Sequence, residues 1–167
     1  MKENKILKTL KEILPYIIII AAVIIFKQFF YAPIRVNGKS MNNTLKDGDI
    51  MVLNVVGLRH SEIKRFDIVV IDSGSDYIIK RVIGLPGEEM EYKDNELYIN
   101  GKKIKDKYGN GKTNDFKIKV GANKYFAMGD NRNDSLDSRY FGAFKKNKIL
   151  GKTNFTIFPF NRFGKKQ

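Results

Sequence analysis

The chain of 167 residues has room for one modest domain and a short extra segment. Its formal net charge of +13 admits an anionic membrane surface, acidic partners or nucleic acid. Nucleic acid is disfavoured, because no basic run interleaves with aromatics and no helix-turn-helix or zinc pattern occurs. There is no cysteine and one histidine, which excludes disulfides, cysteine catalysis and metal sites built on those side chains. His60, set among Arg59, Ser61 and Glu62, reads as an exposed turn.

Residues 1–12 carry Lys2, Lys5, Lys8 and Lys11 against Glu3 and Glu12. An apolar run follows from Ile13 to Phe26, then Lys27, Gln28, Phe29, Phe30 and Tyr31. As a helix, 13–31 would extend about 28 Å, close to a hydrocarbon core of about 30 Å. Lys27 could snorkel to the interface, and Phe29, Phe30 and Tyr31 would form an aromatic belt there. A cleaved secretory leader is the rival. A cut after Ala32 would put bulky Phe30 third before the bond and Pro33 directly after it, so the reading is an uncleaved anchor. The basic flank keeps 1–12 in the cytoplasm and sends 32–167 across the membrane.

Beyond Pro33 the pattern turns short and period-two. Ile50–Val56 reads as a strand after an Asp47-Gly48 turn. Phe66–Asp72 and Tyr77–Ile83 read as a hairpin around Ser73-Gly74-Ser75-Asp76. Glu96–Ile99 and Lys102–Lys105 flank Asn100-Gly101, the strongest short hairpin signal in the chain. A polar loop covers 107–115, followed by strands at Phe116–Val120, Tyr125–Met128 and Lys152–Phe158. The fold expected is mainly β: one N-terminal transmembrane helix, then an antiparallel β-sheet domain, as a sandwich or folded barrel.

Two positions carry candidate chemistry. On the strand 77–83, alternation puts Lys80 on one face with Ile78 and Val82, and burial among aliphatic residues disfavours its ammonium form. Ser40 lies in Gly38-Lys39-Ser40-Met41, a loop open enough for a nucleophile. A neutral Lys80 amine could take its proton, and the Ser40 amide could donate to an oxyanion, with Gly38 letting the backbone come close. Ser135 could aim the amine, with Asp130, Asp137 and Arg139 bracing its loop. The nine residues from Tyr31 to Ser40 span at most about 30 Å, so such a nucleophile works near the membrane face.

Taken in order, these stretches resemble type I signal peptidase, the membrane-anchored serine–lysine protease of bacteria, in its compact Gram-positive form. The resemblance runs through Ser40-Met41-x-x-Thr44-Leu45, Gly48-Asp49, Lys80 to Glu88, Gly129-Asp130-Asn131-Arg132, Ser135-x-Asp137-Ser138-Arg139 and Phe158-Pro159-Phe160. It implies cleavage of signal peptides from secreted preproteins beside the translocon. It also implies a single-pass cell-membrane protein in contact with lipid, its catalytic domain extracytoplasmic, and no cofactor. By residue it implies Ser40 as nucleophile, Lys80 as base, Ser135 as the orienting hydroxyl, and Asp130, Asp137 and Arg139 as support. The family's preference for small residues before the cut implies shallow pockets walled by Ile34, Val36, Met41, Leu45, Ile78 and Ile79.

Three positions depart from the family. Asn43 stands where proline is usual, so a proline there is expected to be tolerated. Gly38 replaces a serine that in some members helps the oxyanion hole, and Asp134 replaces a common asparagine. Three alternatives differ from this reading, and one, a basic membrane-surface binding module, would explain the charge but not the ordered motifs. A catalytically impaired assembly factor should lack Ser40 or Lys80, and both are present. A self-cleaving repressor-type serine–lysine protease needs a DNA-binding domain ahead of Ser40, where this chain has its apolar run.

Overall fold

The computed structural model describes residues 2–55 and 62–166. Val56, expected to end the second strand, and His60 lie outside them. Helix α1 covers Lys2–Phe30 and leads directly into β1, Tyr31–Arg35. From Leu7 to Ile24 the apolar side chains of α1 are exposed, Ile19 by 60% and Ile20 by 59%. Among the described residues no helix is long and apolar enough to cross a membrane.

The strands are β2 (Ile50–Asn54), β3 (Ile68–Asp72), β4 (Tyr77–Gly84), β5 (Glu89–Lys93), β6 (Glu96–Ile99) and β7 (Lys102–Ile104). Then come β8 (Phe116–Lys119), β9 (Lys124–Met128), a one-turn helix α2 (Ser138–Phe141), β10 (Phe144–Lys145), β11 (Ile149–Phe158) and β12 (Gly164–Lys165). The larger, eight-stranded sheet runs β1-β2-β11-β3-β4-β9-β10, with β12 also on β11. The smaller sheet runs β7-β6-β5-β8, and the named strand pairs are antiparallel.

Both expected hairpins form. Asn100 and Gly101 take φ of 50° and 77°, the left-handed pair a two-residue turn requires. Pro33 sits in β1, which among the described residues pairs only with β2 and so can carry a residue without an N–H. β3 starts two residues later than expected because Phe66 has a φ of 70°, directing its amide and carbonyl to Val82 and Arg81. β5 was not expected. In Glu89-Met90-Glu91-Tyr92-Lys93 only Met90 and Tyr92 point inward, a two-residue signal drowned by charge.

Three apolar clusters hold the β domain. Ile83, Met90, Tyr92, Leu97, Val120, Phe126 and Met128 join the two sheets. Here β4 must come close: a Cβ on Gly84 would lie 2.9 Å from the Val120 side chain and 3.1 Å from that of Phe126. Ile63, Val69, Ile71, Val82, Tyr125, Ala127 and Ile149 form the second cluster. The third is Val36, Met41, Leu45, Met51 and Ile68, with Ile34 and Ile79 packed against it.

Candidate active site

Between β1 and β2 the chain forms a loop over 36–49 that carries Ser40. The loop closes on itself, since Val36 N–H donates to the Asp49 carbonyl (2.8 Å) and Gly48 N–H to that of Val36 (2.9 Å). Met41 and Leu45 anchor it, 1% and 0% exposed, in the third cluster. Lys80 lies in β4 opposite Val69 of β3 and is 4% exposed. Its Nζ reaches Ser40 Oγ at 2.7 Å. Burial pulls the Lys80 pKa down to about 8; the carboxylates of Asp137 and Asp130 oppose this, and Arg139 assists it.

The third side of the site is the turn after β9. Asn131 donates its backbone N–H to the Ser40 carbonyl at 3.0 Å and its side-chain amide to the Lys39 carbonyl at 3.2 Å. A Cβ on Gly129 would collide with Ser135 Oγ and the Ser40 carbonyl oxygen, so only glycine fits there. Ser135 donates its hydroxyl to Asp137 at 2.7 Å, and no hydrogen bond joins it to Lys80 among the described residues. Asp137 also accepts from the Gly129 amide and takes both Nε and Nη2 of Arg139. Burial works to raise the Asp137 pKa, but these bonds outweigh it and hold the carboxyl below its usual range.

Asp130 is fully buried and receives two bonds from Arg81, at 2.8 and 2.7 Å, and one from Thr44 Oγ1 at 2.6 Å. Arg81 also stacks over Tyr108, 3.7 Å from the ring centre. Sequence reasoning missed Arg81 and Thr44 as members of the site. The available signal was an arginine on the opposite face of an apolar strand, which must find a carboxylate if buried. It also missed Arg132, which reaches Asp106 and Tyr92, and Arg162, which reaches Asp49.

Five of the six expected pocket residues share one cluster beside Ser40: buried Val36, Met41 and Leu45, with half-buried Ile34 and Ile79. Ile78 packs with the second cluster. Gly38 has φ of 86°, and its amide is committed to Asp47 Oδ1 at 2.8 Å. The Ser40 amide has no hydrogen-bond partner among the described residues. Asn43 has φ of 90°, which asparagine tolerates and proline, fixed near −65°, cannot adopt. The expectation that proline is tolerated at this position is therefore corrected. Among the described residues no cluster of acids and histidine could hold a metal.

The chain matches the signal peptidase, peptidase S26, family over residues 7–158. It belongs to that family. Signal peptidase I of Bacillus amyloliquefaciens is 38% identical over 98% of this chain and 94% of its own length. Signal peptidase IB of Staphylococcus aureus strain COL is 38% identical over 92% of this chain and 93% of its own. The crystal structure of a signal peptidase I from Enterococcus faecalis V583 matches with a TM-score of 0.51 at 37% identity, covering 55% of this chain and 97% of that one. The chain is accordingly a peptidase of this serine-dependent family, and its mainly β, antiparallel architecture agrees with the relationship.

Proposed function

We propose that this signal peptidase family member removes signal peptides from translocated preproteins, with Ser40 as nucleophile and neutral Lys80 as general base. The observation that carries the reading is the 2.7 Å contact between Lys80 Nζ and Ser40 Oγ, made by a buried lysine. With its pKa near 8, an appreciable fraction of Lys80 is uncharged at neutral pH. The free amine takes the Ser40 proton as Oγ bonds to the substrate carbonyl carbon. The oxyanion that develops is met by the Ser40 amide. The new ammonium then gives its proton to the departing amine as the peptide bond breaks, leaving an ester on Ser40. Water, deprotonated by the regenerated amine, releases the signal peptide and restores the serine.

Ser135 serves this cycle by acceptance. With its own proton held by Asp137, its oxygen keeps acceptor capacity for a Lys80 N–H as the amine swings between Oγ and the leaving group. Arg139 and Asp137 fix that loop, and Asp130 fixes Thr44 beyond the nucleophile. Ile34 and Ile79, half-exposed over buried Val36, Met41 and Leu45, suit small substrate side chains. Ile13 to Tyr31 is read as a single membrane anchor with 1–12 cytoplasmic and 32–167 extracytoplasmic. The uncovered aliphatic surface of α1 favours this, since such a surface requires an apolar environment.

The test is to incubate the detergent-solubilised protein with a preprotein and sequence the new N-terminus. Ser40→Ala, Lys80→Ala and Lys80→Arg should each abolish cleavage, the last because a guanidinium stays charged. Full activity in any of the three would sink the dyad.

A further inference from the structure

The loop that carries Ser40 is fastened at a point the dyad does not explain. After Pro159 a turn of 3-10 helix, Phe160–Arg162, brings Arg162 back over the loop from the far end of the chain. Arg162 Nε lies 2.9 and 3.2 Å from the two Asp49 oxygens, and Nη2 lies 2.9 Å from Asp49 Oδ2 and 3.2 Å from the Thr44 carbonyl. Asp49 is 1% exposed, and among the described residues its carboxylate takes, besides Arg162, only the Lys46 amide, at 2.9 Å. Burial opposes its ionisation, yet the Arg162 contacts prevail and keep the carboxyl below its ordinary pKa.

Thr44 is thereby held from two directions. Its carbonyl takes Arg162, and its hydroxyl donates to Asp130, which is locked to Arg81. Arg81 is the immediate neighbour of Lys80 on β4. Between Thr44 and Ser40 the chain makes one tight turn, with Thr44 and Leu45 amides both on the Met41 carbonyl. A shift at Thr44 is therefore passed to Ser40 through the three intervening turn residues, while Lys80 stays fixed in the sheet. A bidentate guanidinium supplies the directional hold that this arrangement needs, and an ammonium does not.

We propose that Arg162 is a positioning residue for the reaction, setting the distance between Ser40 and Lys80 by gripping Asp49 and the Thr44 carbonyl. This rests on the dyad reading above. The experiment uses the full chain in detergent, with kcat and KM measured separately on a preprotein alongside thermal melting. Arg162→Ala should lower kcat by about 30-fold with KM within about twofold, because near-attack geometry is lost and not binding. Arg162→Lys should recover little of it. Methylguanidinium added to Arg162→Ala should restore several-fold in kcat by filling the vacated site.

The inference is overturned if Arg162→Ala keeps full kcat. It is equally overturned if the kcat loss follows the folded fraction and methylguanidinium restores nothing. Ser40→Ala in the same assay separates the two layers. A dead Ser40→Ala beside a fully active Arg162→Ala refutes the role of Arg162 alone, and an active Ser40→Ala refutes the dyad itself.

Discussion

Lys80 is where chemistry and stability pull apart. An exposed lysine is charged in both folded and unfolded chains and contributes nothing to the pH dependence of folding. Lys80 is lowered from 10.5 to about 8 in the fold, so between those values the unfolded chain binds more protons. Stability should therefore rise with pH from about 8 to 10.5, and below 8 the whole penalty is present, of about 3 kcal/mol. Lys80→Met removes the buried amine while filling most of its volume. At pH 6 it should melt higher than the parent by up to about 10 °C, with the gain shrinking above pH 9. On the dyad reading proposed above, the parent's kcat/KM should climb with pH around the same midpoint near 8, because the neutral amine would be the active form. Melting curves and rate profiles on one pH series check both, and a flat rate between pH 6 and 9 would exclude lysine as the base.

At the scale of elements, the loop over 36–49 is irregular and turns through positive φ at Gly38, Asn43 and Gly48, of which only Asn43 is not glycine. Asn43, at φ of 90°, lets the chain turn so that Thr44 meets Asp130 and Leu45 enters the core. Asn43→Gly should keep activity within about threefold, because glycine adopts positive φ freely. Asn43→Pro should lose at least about 100-fold in kcat/KM, a displaced nucleophile being worth that much. Steady-state kinetics on the two variants decide the matter, and an active proline variant would mean the loop has another shape. Regular elements were easier to read. Asn100-Gly101 and the Ser73–Asp76 turn dictate hairpins locally, and period-two aliphatics mark β3 and β4. The supports of the site were harder, because they join distant positions: Arg81 to Asp130, Arg132 to Asp106, Arg162 to Asp49. A charged residue looks alike in sequence whether it is solvated or buried against a partner, and only the fold brings the pairs together.

For the whole molecule, the question is how helix and β domain divide the work. The three apolar clusters draw on residues from Ile34 onward, and no α1 side chain from Leu7 to Ile24 is buried in them. β1 holds its edge position through pairing with β2, which residues 31–35 make without help from the helix. The charge of +13 would add attraction to an anionic lipid surface, though such attraction is screened beyond about 10 Å in ordinary salt. The anchor proposed for α1 would instead confine enzyme and membrane-bound preprotein to one surface, raising their effective concentration with no new contact. A chain starting at Tyr31 should therefore fold, melting within about 3 °C of the parent once micelle effects are matched. Its kcat/KM on a short soluble peptide should match the full chain within about threefold. On a preprotein embedded in vesicles it should fall by at least about 100-fold, the scale that tethering supplies. Equal activity of the two forms on the vesicle substrate would show that the helix contributes no such confinement.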